Sequence, residues 1–107
     1  MTAQTTEPGG FNLVIHAPNR LLICALLDSV AEIEFGTVQE RLKVSASVLS
    51  KHVTVLTESG YVTQRKAVRE TRPRVWLRFT PEGRAAYREH VAALQAIVGT
   101  PAEPVDA

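Results

Sequence analysis

Apolar residues follow a helical period through the first half of the chain and a strand period in a later stretch. Between Pro18 and Val30, Leu22, Leu26 and Val30 recur about one turn apart, while Leu21, Ile23, Ala25 and Leu27 fill the positions between them. A helix that is apolar around most of its circumference must be covered on more than one side. A small domain covers one face, so a second subunit is the expected cover for the rest. Pro18 suits the first helical turn because it has no N–H to leave unpaired. Gly36-Thr37 then interrupts the pattern, and Thr37 is placed to cap a short helix over residues 38–42. Ser45 is a second capping candidate; it opens a helix in which Leu49, Val53 and Leu56 fall at i, i+4 and i+7. Gly60 stands where a left-handed residue closes such a helix.

Past Gly60 the period changes. Residues 61–66 and 75–79 are rich in β-branched and aromatic side chains and flank a polar stretch containing Pro73, which predicts a β-hairpin with a long loop. Alternation turns Val75, Leu77 and Phe79 to the core and Trp76 and Arg78 to the other side. Thr80-Pro81-Glu82 combines a capping hydroxyl, a first-turn proline and an acid at a helix start. The final helix runs to about Val98, and its Tyr87, Val91, Leu94 and Val98 are spaced by four, three and four residues. That seam resembles a short coiled coil, and it packs either on its own domain or, as we expect, on a second subunit. The expected dimer surface comprises Leu21, Leu27, Tyr87, Val91, Leu94 and Val98. The predicted fold class is mainly α with a small β-hairpin, in one domain over residues 11–98. Residues 1–10 and 99–107, polar or proline-bearing, are expected to be flexible tails.

Composition narrows the function classes. The 107 residues are 45% hydrophobic, enough for one compact domain. The formal net charge of +1 conceals a segregation. Arg65, Lys66, Arg69, Arg72, Arg74 and Arg78 crowd the hairpin with only Glu70 opposing them, whereas Asp28, Glu32, Glu34 and Glu40 lie in a stretch without a base. A local basic surface suits a polyanion; a solvated charged hairpin is the plainer reading. Cys24 is the only cysteine, so no intrachain disulfide is available and a reducing compartment is expected. No signal peptide is apparent, and residues 21–27 are too few to span a bilayer, so the expectation is a soluble cytoplasmic protein. His16, His90 and Cys24 do not make a metal-ligand set, and no nucleophile–base pair, phosphate-binding glycine loop or carboxylate pair is evident. No metal, no cofactor and no catalysis are expected.

Helix, short helix, tight turn, helix, hairpin and helix is the order of a winged helix-turn-helix. The segment Ser45-Ala-Ser-Val-Leu-Ser-Lys-His-Val-Thr-Val-Leu-Thr-Glu-Ser-Gly-Tyr-Val62 resembles the recognition-helix signature of the MarR and ArsR groups of bacterial regulators. His16-Ala-Pro-Asn-Arg20 is similar to the His–Pro–Arg opening of a compact MarR-like group, with one residue inserted. Arg72-Pro73-Arg74 and Thr80-Pro-Glu-Gly83 match that group as well. The resemblance implies a winged helix-turn-helix with a C-terminal dimerisation helix, DNA binding, homodimerisation and usually repression. Relatives of this kind often bind small molecules near the dimer interface, so an effector of unknown identity is a further possible partner.

The residues also sort by chemistry. With Leu49, Val53 and Leu56 inward, Ser47, Ser50, Lys51 and Thr54 face outward and Val48 lies beside them. Hydroxyls near a helix N-terminus, Ser45 included, can join backbone N–H groups in holding a phosphate. Lys51 suits guanine or a phosphate, and Val48 a thymine methyl group. With no Arg, Asn or Gln on this face, DNA shape should carry much of the discrimination. In the hairpin, Arg69, Arg72 and Arg74 near the tip are the expected DNA contacts. The competing reading is a docking module whose basic hairpin binds an acidic protein partner. His52 either contacts a phosphate or is hydrogen-bonded within the domain; Arg20 pairs with an acid or a second subunit. Trp76 covers Tyr61 or supports the hairpin, and Cys24 is inert packing rather than a redox switch.

Overall fold

In a computed structural model, residues 8–99 form a short 3-10 turn, five helices and three strands. After the turn at Pro8–Gly10 come α1 (Leu13–His16), α2 (Pro18–Asp28), β1 (Ile33–Glu34), α3 (Phe35–Leu42), α4 (Ala46–Glu58), β2 (Val62–Arg69), β3 (Arg72–Phe79) and α5 (Pro81–Gly99). The rest of the expected tails, residues 1–7 and 100–107, lies outside the described residues. No helix among the described residues is long and apolar enough to cross a membrane.

The core gathers the inward face of each predicted element. Leu49, Val53 and Leu56 of α4 meet Ile23, Cys24 and Leu27 of α2, Val38 of α3, and Val62, Leu77 and Phe79 of the sheet. Leu27 is therefore a correction to the dimer expectation. It is fully buried in the chain's own core, because α1, α3, α4, α5 and β3 all pack on α2. Away from the core, Leu22 is 53% exposed and Ala25 is exposed too, while Leu21 and Leu26 are half-buried.

The sheet has three antiparallel strands in the order β1-β3-β2. Ile33 pairs with Leu77 and Glu34 with Trp76, while β2 and β3 run in register from Val62↔Phe79 to Arg69↔Arg72. The long loop expected around Pro73 is absent. The strands continue to a two-residue turn, Glu70-Thr71, whose φ values of 56° and 65° are both left-handed, as a tight hairpin of matching twist requires. Pro73 is accommodated because it pairs with Val68 next to the turn-closing Arg69↔Arg72 pair. In an antiparallel ladder that neighbouring position is not hydrogen-bonded, so the missing N–H costs nothing there. The third helix also differs from expectation. It begins at Phe35 directly after β1, with Glu34 rather than Thr37 in the capping position.

Two junctions lock α5 in place. Thr80 N–H donates to the carbonyl of Tyr61 at 2.9 Å, its hydroxyl donates to the carbonyl of Gly60 at 2.7 Å, and Gly83 N–H donates back to that hydroxyl at 2.9 Å. A Cβ at Gly83 would lie 2.1 Å from the Tyr61 carbonyl oxygen, so only glycine fits this approach. One turn on, Arg84 donates to the carbonyl and carboxylate of Asp28 at 2.6 and 3.0 Å, satisfying the C-terminal end of α2.

A buried polar chain joins the N-terminal segment to the rest. Asn12 accepts from Ile15 N–H, donates through Nδ2 to the Tyr61 hydroxyl at 2.9 Å, and donates its own N–H to His90 Nδ1 at 3.0 Å. Because Nδ1 of His90 accepts, the neutral ring carries its proton on Nε2, 3.2 Å from Nδ1 of His16. Phe11 closes the cluster, with its ring 4.8 and 4.6 Å from the two imidazoles.

Candidate nucleic-acid interface

The turn between α3 and α4 is short. Lys43 adopts φ 57° and closes α3, donating its N–H to Gln39, and Val44 leads to Ser45. Ser45 caps α4 as expected: its Oγ accepts the N–H of Val48 at 3.1 Å and lies 3.4 Å from the Ser47 hydroxyl. With Leu49, Val53 and Leu56 inward, Ser47, Ser50, Lys51 and Thr54 are exposed on the opposite side, and Val48 beside them is 39% exposed. The described part of the chain thus leaves a hydroxyl-and-lysine face of a capped helix uncovered. Gly60, with φ 81°, ends the helix and sends the chain into β2.

The hairpin divides differently from the expectation. Arg72 is exposed at the tip, and the backbone of Arg69 stands opposite it. Arg74, expected to reach DNA, is instead a brace within the sheet. Its Nη1 lies 2.9 and 2.8 Å from the carboxylate oxygens of Glu34 on β1, and its Nε is buried without a hydrogen-bond partner. Arg65 is likewise committed. It donates to both carboxylate oxygens of Glu32, at 2.9 and 3.0 Å, while its guanidinium sits 5.8 Å from the centre of the Trp76 ring. Trp76 therefore supports the hairpin through Arg65. The acidic stretch and the basic hairpin, read separately in the sequence, partly neutralise each other. The i, i+2 spacing of Glu32 and Glu34 hinted only that two acids share a side, since the two-residue β1 is too short to show a strand period.

The expected dimer residues also part company. Tyr87 packs on the core with its ring 6.0 Å from that of Phe79, and burial pushes its hydroxyl above the ordinary tyrosine range. Leu21 is half-buried against the core, and Val91 and Leu94 are half-buried on α5. Val98 is 65% exposed, and its neighbour Ile97, not singled out from the seam, is 60% exposed. Cys24 is fully buried, and burial pushes its thiol up to about 12, which suits inert packing better than a redox role.

The His16-to-Arg20 motif ties helices together. His16 meets His90 of α5, Pro18 opens α2, and Arg20 donates through Nε to the carbonyl of Val14 and through Nη1 to Nδ1 of His52 on α4 at 3.2 Å.

This architecture has relatives. Residues 19–98 match a protein family described as a winged helix DNA-binding domain. The chain belongs to that family. In this winged helix α4 is the helix after the turn and β2–β3 the wing. The chain is 31% identical over 81 residues to the uncharacterized protein MJ0432 of Methanocaldococcus jannaschii, covering 76% of this chain and 84% of that one. Among solved structures it is similar to a transcriptional regulator homologue from Pyrococcus horikoshii OT3. The TM-score is 0.77 at 25% identity, over 81% of this chain and 86% of that one. The YusO protein of Bacillus subtilis shares the fold, with a TM-score of 0.74 at 20% identity, over 84% of this chain and 64% of that one.

Proposed function

We propose that this winged helix is a cytoplasmic transcriptional repressor that binds an inverted-repeat operator as a homodimer. The observation that carries the reading is the bare face of α4. Four small or flexible polar side chains, Ser47, Ser50, Lys51 and Thr54, with Val48 beside them, stand on a helix whose other side is anchored in the core. A helix of this kind fits a major groove about 12 Å wide, and its capped N-terminus favours a phosphate nearby. Arg72, and Arg69 across the turn from it, would reach the neighbouring backbone or minor groove. The exposed Ile97 and Val98 at the end of α5 support pairing of two copies through that helix. In such a dimer two copies of α4 would enter successive major grooves about 34 Å apart. Repression rather than activation rests on the resemblance to MarR- and ArsR-type regulators.

Selection of bound sites from random duplex DNA tests the proposal. The expected product is a twofold-symmetric site with half-sites one helical turn apart. Its binding should weaken steeply with salt, with a log–log slope near about −5 for ~6 phosphate contacts. Enrichment of no symmetric site, together with retention indifferent to salt, would overturn it.

A further inference from the structure

Resting on the DNA-binding reading, we infer that His52 donates a hydrogen bond from Nε2 to a backbone phosphate of the duplex, and that Arg20 is the residue that positions it. A guanidinium has donors and no acceptor, so Nδ1 of His52, 3.2 Å from Arg20 Nη1, must be the accepting nitrogen. The proton of the neutral ring is then on Nε2. Among the described residues that atom has no hydrogen-bond partner. Among the described residues the only buried side-chain polar atom left unpaired is Arg74 Nε, so Nε2 of the half-buried His52 is open to solvent.

Position along the helix supports a backbone contact rather than a base contact. His52 follows Lys51 directly and lies one turn after Val48. It stands at the flank of α4, between the bare face and the core residues Leu49 and Leu56. When the bare face enters the major groove, the flanks lie beside the phosphate walls. Arg20 is itself held, because its Nε donates to the Val14 carbonyl, so the ring is fixed in one orientation before DNA arrives. Partial burial, and then the adjacent Arg20 charge, hold His52 below the ordinary histidine range. A ring whose Nδ1 accepts from Arg20 is neutral, and the arginine behind it polarises the ring toward donation.

The test uses the full chain with two labelled duplexes, one carrying the selected site and one a scrambled sequence of the same length. Nitrogen-15 spectra of the histidine rings are recorded without DNA. Glutamine places a donor where Nε2 stands; asparagine can keep the Arg20 contact but has no donor there. His52→Gln should bind both duplexes within about threefold of the parent, and His52→Asn should lose about tenfold on both. Because the lost contact carries no charge, the salt slope should stay unchanged, whereas Lys51→Gln should lower its magnitude by about one. Free-chain spectra should show His52 protonated at Nε2, and Arg20→Met should turn this into a mixture of tautomers and weaken binding.

Equal binding by the glutamine and asparagine variants, a ring protonated at Nδ1, or a fall of about one in the slope for His52→Asn would each overturn the inference. Failure of the parent chain to bind either duplex defeats the DNA-binding reading and this contact with it. The spectra recorded without DNA separate that outcome from a wrong tautomer.

Discussion

Arg74 of β3 and Glu34 of β1 form a half-buried ion pair, with one guanidinium nitrogen within 2.9 Å of both carboxylate oxygens. Glu34 stands opposite Trp76, so Arg74 reaches it diagonally across the strand pair. The contact fastens a two-residue strand to the wing. It also withdraws from the DNA-facing inventory an arginine that composition alone would place there.

The division between Arg74 and Arg72 is directly measurable. Glu34→Gln should cost about 1 kcal/mol in urea unfolding, since it strands a half-buried cation, and leave the salt slope of DNA binding unchanged. Arg72→Gln should do the reverse, leaving stability within about 0.5 kcal/mol and lowering the slope by about one. A DNA-binding loss in Arg74→Gln larger than that in Arg72→Gln, at equal folded fraction, would contradict the assignment.

Gly83→Ala places a methyl group 2.1 Å from the Tyr61 carbonyl oxygen, a backbone atom at the end of the turn after α4. The helix must move, taking with it the hydrogen bonds of Thr80 to Gly60 and Tyr61. The expected cost is about 3 kcal/mol, read as a fall in Tm. Melting like that of the parent chain would show that α5 does not approach Tyr61 this closely.

Acid should destabilise the fold through histidine. Burial and then the neighbouring His16 push His90 below its ordinary value of 6.5, and His52 is lowered too, by burial and then Arg20. Below pH 6.5 the unfolded chain takes up protons that the folded chain resists, so unfolding becomes easier as pH falls through the lowered values. Above pH 6.5 both states are neutral at these sites and the contribution is complete. Urea unfolding from pH 8 to 5 should show this decline, and His90→Gln should flatten it. A decline unchanged in His90→Gln would place the titrating group elsewhere.

The exposed pair at the end of α5 carries the dimer proposal. Ile97→Glu with Val98→Glu should convert a dimer to a monomer in sedimentation, with the melting of the isolated domain little changed. A parent chain that sediments as a monomer at all concentrations would contradict it.

Much of the fold was legible because local chemistry and tertiary packing agree. Ser45, Leu49, Val53 and Leu56 define the cap and inward face of α4, and Thr80 with Pro81 opens α5, each by a pattern that is local in sequence. The hairpin turn was hidden because Glu70 and Thr71, rather than glycine or asparagine, take the left-handed conformations. Ile33-Glu34 is too short to display a strand period and is a strand only because β3 lies beside it. Leu27 was misplaced because periodicity along α2 says which residues are apolar, not how many elements converge on them. Arg74 was misplaced for a related reason. Its partner is distant in sequence, and only the folded sheet joins them.

The central claim is that the uncovered side of α4 is the side that meets DNA. Titration of the nitrogen-15-labelled chain with a duplex carrying the selected site measures this residue by residue. The account predicts backbone amide shifts concentrated at Ser47, Val48, Ser50, Lys51 and Thr54, with a second group at Arg69 and Arg72. Saturable binding that leaves those amides unmoved while shifting another surface would contradict it.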